Sequence, residues 1–80
     1  MQFSRLPRCS SNELINALYR LGCYRGRATR GSHQLFHRDA DGRTLTGVVV
    51  LGKREVPRRT LRNVLEQLQI SPEDLRDALR

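Results

Sequence analysis

Two histidines, His33 and His37, are the side chains of this chain that ordinarily exchange a proton near neutral pH. They lie in the run RATRGSHQLFHRD, residues 27–39, together with three arginines, a glycine and the apolar pair Leu35 and Phe36. In an extended strand, alternation puts His33, Leu35 and His37 on one face and Ser32, Gln34, Phe36 and Arg38 on the other. Each face then carries one large apolar residue, so the pattern leaves open which of them a core would cover. A lone histidine in such a strand is ordinarily a hydrogen-bonding residue at a sheet edge, and that reading stands beside any chemical one.

The neighbours of His33 point toward phosphate chemistry. Gly31 permits close approach of backbone or ligand, and Ser32 adds a hydroxyl. Arg27 and Arg30, on the preceding strand and turn, are placed to hold a phosphate, and the arginine fork suits phosphate oxygens better than a lysine point charge does. RNA supplies its own nucleophile, the 2′-hydroxyl. The protein need only provide a base for that hydroxyl, an acid for the departing 5′-oxygen, and cations for the charge on phosphorus. Such chemistry requires no metal and no cofactor. His37, on the same strand face, is a candidate for supporting the site.

A second basic cluster follows: Lys53, Arg54, Arg58, Arg59 and Arg62. It falls in a loop and in the first turns of a helix, where cations oppose the helix macrodipole at a cost of a few tenths of a kcal/mol each. A bound phosphate would reverse that cost, because backbone N–H groups at a helix start bind anions. A solvated charged face is the plain alternative. Other chemistries find little support. No carboxylate cluster has metal-binding spacing, and no glycine-rich phosphate loop precedes a helix. Cys9 and Cys23 are spaced neither as a zinc pair nor as a redox dithiol and read as small buried thiols.

The charge distribution agrees with a polyanionic partner. Fifteen Lys and Arg against eight Asp and Glu give +7. From Arg20 to Arg62 there are eleven cations and three acids, a net of +8, whereas Asn63–Arg80 has two cations and four acids, a net of −2. A positive field concentrated mid-chain favours nucleic acid. Two Tyr, two Phe and no Trp argue against single-strand recognition by base stacking. No apolar run approaches the roughly 20 residues that span a bilayer, and residues 1–13 lack the apolar stretch of a secretory signal, so a cytoplasmic protein is expected.

The elements that must carry these groups are legible. SSNELINALYRLGC opens with Ser10 and Glu13 at capping-box spacing, carries Leu14, Ile15, Leu18 and Leu21 as an apolar stripe, and stops at Gly22, which predicts a helix over about 11–21. CYRGRATR reads as a weak edge strand, SHQLFHR as a second strand, DADG as a hairpin turn and RTLTGVVV as a third strand. LGKREVPRR is a basic loop. RTLRNVLEQLQI is a second helix, with Pro57 and Thr60 where a helix start would put them. SPEDLRDALR adds a short third helix, with Ser71 as its cap and Pro72 in the first helical position. Eighty residues in the order α-β-β-β-α plus a terminal helix make one two-layer α+β domain over 1–80, with the element order of the double-stranded-RNA-binding domain.

These pieces together resemble the HicA-type toxins, also called the YcfA-like family, small basic partners in bacterial toxin–antitoxin pairs. The resemblance runs over nearly the whole chain: the helix NELINALYRLGC, the Gly-Ser-His strand RGSHQLF, the hairpin DGR, and GKREVPRRTLRNVLEQLQIS across the second helix. It implies a double-stranded-RNA-binding-like fold and an endoribonuclease, an mRNA interferase that cleaves messenger RNA without the ribosome. It also implies a cognate HicB-type antitoxin that covers the active surface. The family's catalytic histidine carries over to His33, with Gly31 and Ser32 as motif positions. Val50 and Leu51 stand where many members have proline and histidine before Gly-Lys, so no second histidine is available there. Two other readings remain: a non-catalytic RNA-binding module using the same basic face, and an interaction protein whose basic face meets an acidic partner.

Overall fold

The structure, a computed structural model, describes residues 6–80, so the domain expected over 1–80 is seen from Leu6 onward. Helix α1 spans Ser11–Arg20. Its start is a complete capping box: Ser10 Oγ accepts the Glu13 N–H at 3.1 Å, and Glu13 Oε1 accepts the Ser10 N–H at 2.8 Å. Two otherwise orphaned helix-end donors are thereby satisfied. Leu14, Ile15, Ala17 and Leu18 form the buried stripe, and Gly22, at φ +87°, turns the chain out of the helix as its position suggests.

Strands β1 (Tyr24–Ala28), β2 (His33–Ala40) and β3 (Arg43–Val50) form one antiparallel sheet in the order β1-β2-β3. Strand β2 runs further than its apolar pattern indicates. Asp39 pairs with Thr44 and Ala40 with Arg43, which shrinks the expected DADG turn to Asp41-Gly42. Both of these residues have positive φ, 53° and 74°, the backbone a two-residue hairpin of matching twist demands.

Helix α2 (Arg58–Leu68) starts at Arg58, placing Arg58 and Arg59 in its first turn rather than in the loop. Pro57 occupies the N-cap without a side-chain hydrogen bond. Thr60 is the third residue of the helix, in its first turn. Helix α3 (Pro72–Ala78) begins as the sequence implies, with Ser71 Oγ accepting the Asp74 N–H at 3.1 Å.

The helices cover one face of the sheet and leave the other open. Gln34, Phe36, Gly47 and Val49 face the helices and are buried, whereas His33 is exposed and Leu35, His37, Val48 and Val50 are at most half-buried on the opposite face. The question left by the strand pattern is thus settled in favour of Phe36 as the core residue. Leu14, Leu18, Phe36, Leu61, Leu65 and Leu68 are fully buried together, and each such side chain contributes about 1.5–3 kcal/mol by leaving water. Gly47 allows α2 to lie against β3, since a Cβ there would stand 3.0 Å from Leu68 Cγ. Arg38 reaches the end of α2, its guanidinium donating to the carbonyls of Leu68 and Gln69 at 2.9 Å each. The result is the two-layer α+β arrangement with a short terminal helix. Among the described residues no helix is long and apolar enough to cross a membrane.

Candidate functional site

The loop joining β1 to β2, Thr29–Ser32, is closed on itself. Thr29 N–H donates to the His33 carbonyl at 3.1 Å, and His33 N–H donates to the Arg30 carbonyl at 2.9 Å. Gly31 supplies φ +51°, which a side chain would strain. This tight loop presents His33 as the first residue of β2, exposed on the open face of the sheet. Its Nδ1 lies 3.3 Å from the Arg30 carbonyl oxygen. A proton on Nδ1 would be held by that carbonyl, leaving the Nε2 lone pair free to act as a base.

Pairing brings the second loop alongside. His33 is opposite Val50, and Leu51 N–H donates to the Ser32 carbonyl at 2.7 Å. Gly31-Ser32-His33 and Gly52-Lys53-Arg54 therefore meet at one end of the sheet, 18 or more residues apart in sequence but joined by a backbone hydrogen bond. Gly52 turns the second loop with φ +75°. A shallow open depression of about 250 Å3 lies beside it, lined by Ser10, Ser11, Asn12, Gly52, Lys53 and Arg54.

A bulge brings in Arg27. Arg25 is opposite Phe36 and Ala28 opposite Gln34, so Gly26 and Arg27 together face the single residue Leu35. Strict alternation would have sent Arg27 to the face of Arg25, whose guanidinium lies 5.9 Å over the Phe36 ring. The doubled position leaves Arg27 on the face of His33 instead. The side chains of Arg27, Arg30, Lys53, Arg54 and Arg59 are exposed and form no hydrogen bond or ion pair with another described residue. Unpaired cations of this kind are available to an anion.

Three further residues expected at the site are Arg58, Arg59 and His37. Arg58 donates to the Leu6 carbonyl at 3.4 Å, and neither it nor Arg59 has a hydrogen bond to the His33 loop. Their placement in the first turn of α2, with no acid there, retains the conflict with the macrodipole. His37 does share the face of His33, but it lies four residues along β2, about 13 Å at the usual rise of a strand. Its Nδ1 is 2.9 Å from Thr46 Oγ1, and its ring packs on Gly26 and beside Tyr24.

Other potential nucleophiles are silenced. Burial, reinforced by Glu13 and Glu55, pushes the Cys9 thiol up to about 11, and burial raises Cys23 as well, so neither is a thiolate near neutral pH. The hydrogen bond from Tyr24 to Asp39 raises the tyrosine hydroxyl above its ordinary value. Among the described residues, no three His, Cys, Asp or Glu side chains converge as metal ligands.

Sequence reasoning overlooked Ser11. It is 1% exposed, donates its N–H to the Lys53 carbonyl at 2.9 Å, accepts the Lys53 N–H on Oγ at 2.9 Å, and donates Oγ–H to the Val50 carbonyl at 2.7 Å. The doubled serine was the available signal, since Ser10 alone meets the needs of the cap.

The chain was compared with known families and proteins. No curated protein matches it. The family model described as the HicA toxin of bacterial toxin–antitoxin systems matches residues 11–70, from the first residue of α1 to just beyond α2. That span holds both loops at the His33 end of the sheet and all three strands. The chain therefore belongs to the HicA toxin family, as the toxin of a toxin–antitoxin pair with an antitoxin as its partner.

Proposed function

We propose that this toxin is a metal-independent endoribonuclease that cleaves messenger RNA, with His33 as the single general acid/base. The observation that carries the reading is the position of His33: an exposed imidazole at the junction of two loops that bear Arg30, Lys53 and Arg54, with Arg27 on the adjoining strand β1, and none of these four side chains makes a hydrogen bond or ion pair with another described residue. Nε2 takes the proton of the ribose 2′-hydroxyl as its oxygen bonds to phosphorus. The bond from phosphorus to the 5′-oxygen then breaks, and the imidazolium returns the proton to that leaving oxygen. The products are a 2′,3′-cyclic phosphate and a 5′-hydroxyl. The cations neutralise the charge that builds on the phosphoryl oxygens, and Gly31 and Ser32 keep the loop backbone open to the phosphate. The antitoxin, of the HicB type, blocks access by covering this end of the sheet, and the pair acts in the cytoplasm, where messenger RNA and reduced thiols are found.

The test is cleavage of purified RNA in EDTA. Wild-type protein should cut, and substrates lacking the 2′-hydroxyl at the scissile position should survive. His33→Ala should lose at least about 100-fold in rate, the lower range for general acid–base catalysis, with its circular dichroism and thermal melt unchanged. Undiminished cutting by folded His33→Ala would refute the assignment. RNA binding without cutting by the wild type would leave a non-catalytic RNA-binding module. Affinity should fall about 50-fold between 50 and 200 mM salt if four cations contact a single strand. A flat salt response would instead favour an acidic protein as the ligand of the basic face.

A further inference from the structure

The open face of the sheet carries a feature that the cleavage reading leaves unused. Tyr24 and Tyr19 are the large apolar side chains left exposed among the described residues, at 43% and 46%. Tyr19 meets the ring of Phe36 edge-on at 5.6 Å, on the helix side. Tyr24 lies on the face of His33. Its hydroxyl donates to Asp39 Oδ1 at 2.9 Å, and its ring is 5.5 Å from that of His37, tilted by 46°. His37 is held in turn by Thr46 and by the backbone of Gly26. Two rings are thus fixed from below and from one side while remaining open to solvent.

We propose that Tyr24 and His37 form a base-stacking subsite for the same RNA strand whose phosphodiester lies at His33, an inference that rests on the ribonuclease reading. Distance supports it. His37 is about 13 Å along β2 from His33, a length that two nucleotides of an extended strand span. The floor between them also suits a nucleic acid strand: Leu35, Val48 and Val50 are half-buried and apolar, and Arg27 flanks Leu35. Charge then separates the two ends. The loops at the His33 end carry the cations Arg30, Lys53 and Arg54, whereas the Tyr24 end holds the Asp39 carboxylate, which also accepts from Thr44 Oγ1 at 3.0 Å. A phosphate would be repelled there and an uncharged base would not. The low aromatic content excludes a row of stacked bases but leaves room for one on this platform.

The test uses DNA oligonucleotides carrying one ribonucleotide, so that a single bond can be cut. Lengthening the strand by two or three nucleotides on one side of that bond should raise kcat/KM about tenfold, the range expected for one stacked base. With Tyr24→Leu the ratio of long to short substrate should fall to near one, and with Tyr24→Phe, which keeps the ring, it should persist. An equal length effect in wild type and Tyr24→Leu would overturn the subsite. A second measurement needs no cleavage: 2-aminopurine placed along an all-2′-deoxy strand should be quenched on binding to wild type and not to Tyr24→Leu. Tyr24-dependent quenching by a wild-type protein that cuts nothing would end the ribonuclease reading and keep the stacking face. If Tyr24→Leu binds and quenches like wild type but no longer binds its antitoxin, the face belongs to the protein partner and the proposal fails.

Discussion

Ser11 and Lys53 hold one another by two hydrogen bonds: the Ser11 N–H reaches the Lys53 carbonyl at 2.9 Å, and the Lys53 N–H reaches Ser11 Oγ at 2.9 Å. The same Oγ donates to the Val50 carbonyl at 2.7 Å. One buried hydroxyl thus ties the first turn of α1 to the end of β3 and to the basic loop beside His33. The loop is held in place by the core side of the fold, while the side chains of Lys53 and Arg54 remain free on the surface.

Ser11→Ala removes that hydroxyl and leaves the Lys53 N–H and Val50 carbonyl short of a partner. We expect a loss of about 1–3 kcal/mol in urea unfolding, the usual cost of orphaning buried polar groups. RNA affinity should weaken as well, because the loop cations lose their fixed position. Ser11→Thr, which keeps the hydroxyl, should recover most of both. Wild-type stability in Ser11→Ala would show that the hydroxyl is dispensable.

Gly26→Ala tests the close packing of β1 on His37. A Cβ at position 26 would run into the far edge of the His37 imidazole, which Thr46 and Tyr24 hold in place. Overpacking of this kind costs about 1–3 kcal/mol. Combining it with His37→Ala removes the obstacle, so the double variant should be more stable than the sum of the single changes predicts. Simple additivity in thermal melts would mean that the ring moves aside freely.

Alkaline pH should weaken the fold through Cys9. Its thiol ionises near 9.0 when free and only at about 11 when buried in the folded protein. The raised folded value means that stability is unaffected below pH 9, then falls between 9 and 11 as the unfolded chain releases a proton that the native one retains. The two-unit gap corresponds to a loss of about 3 kcal/mol over the full window. Cys9→Ala lacks this dependence, so the stability gap between wild type and variant should narrow from pH 8 to pH 10.5 in denaturant titrations. A constant gap across that range would contradict the burial effect.

The local chain determined much of this molecule. Ser10 with Glu13, Gly22, Asp41-Gly42 and Ser71-Pro72 are short-range signals whose meaning depends on a few neighbouring residues, and they mark where elements begin and end. The period of the apolar residues in each segment did the same for helix against strand, because periodicity is a property of the element itself. His33 was equally legible as a candidate, set in Gly-Ser-His among arginines.

Tertiary packing decided the rest. Which face of β2 is buried could not follow from HQLFHR, where both faces carry a large apolar residue; the choice depends on where α2 lands, and Gly47 and Leu68 set that contact across the sheet. The second basic loop joins His33 only because β3 pairs with β2 in one register and Ser11 anchors the turn that follows. His37 leaves His33 and joins Tyr24 for the same kind of reason. A strand separates neighbours in sequence along its length and unites residues from distant segments across it, and those cross-strand contacts exist only once the sheet has formed.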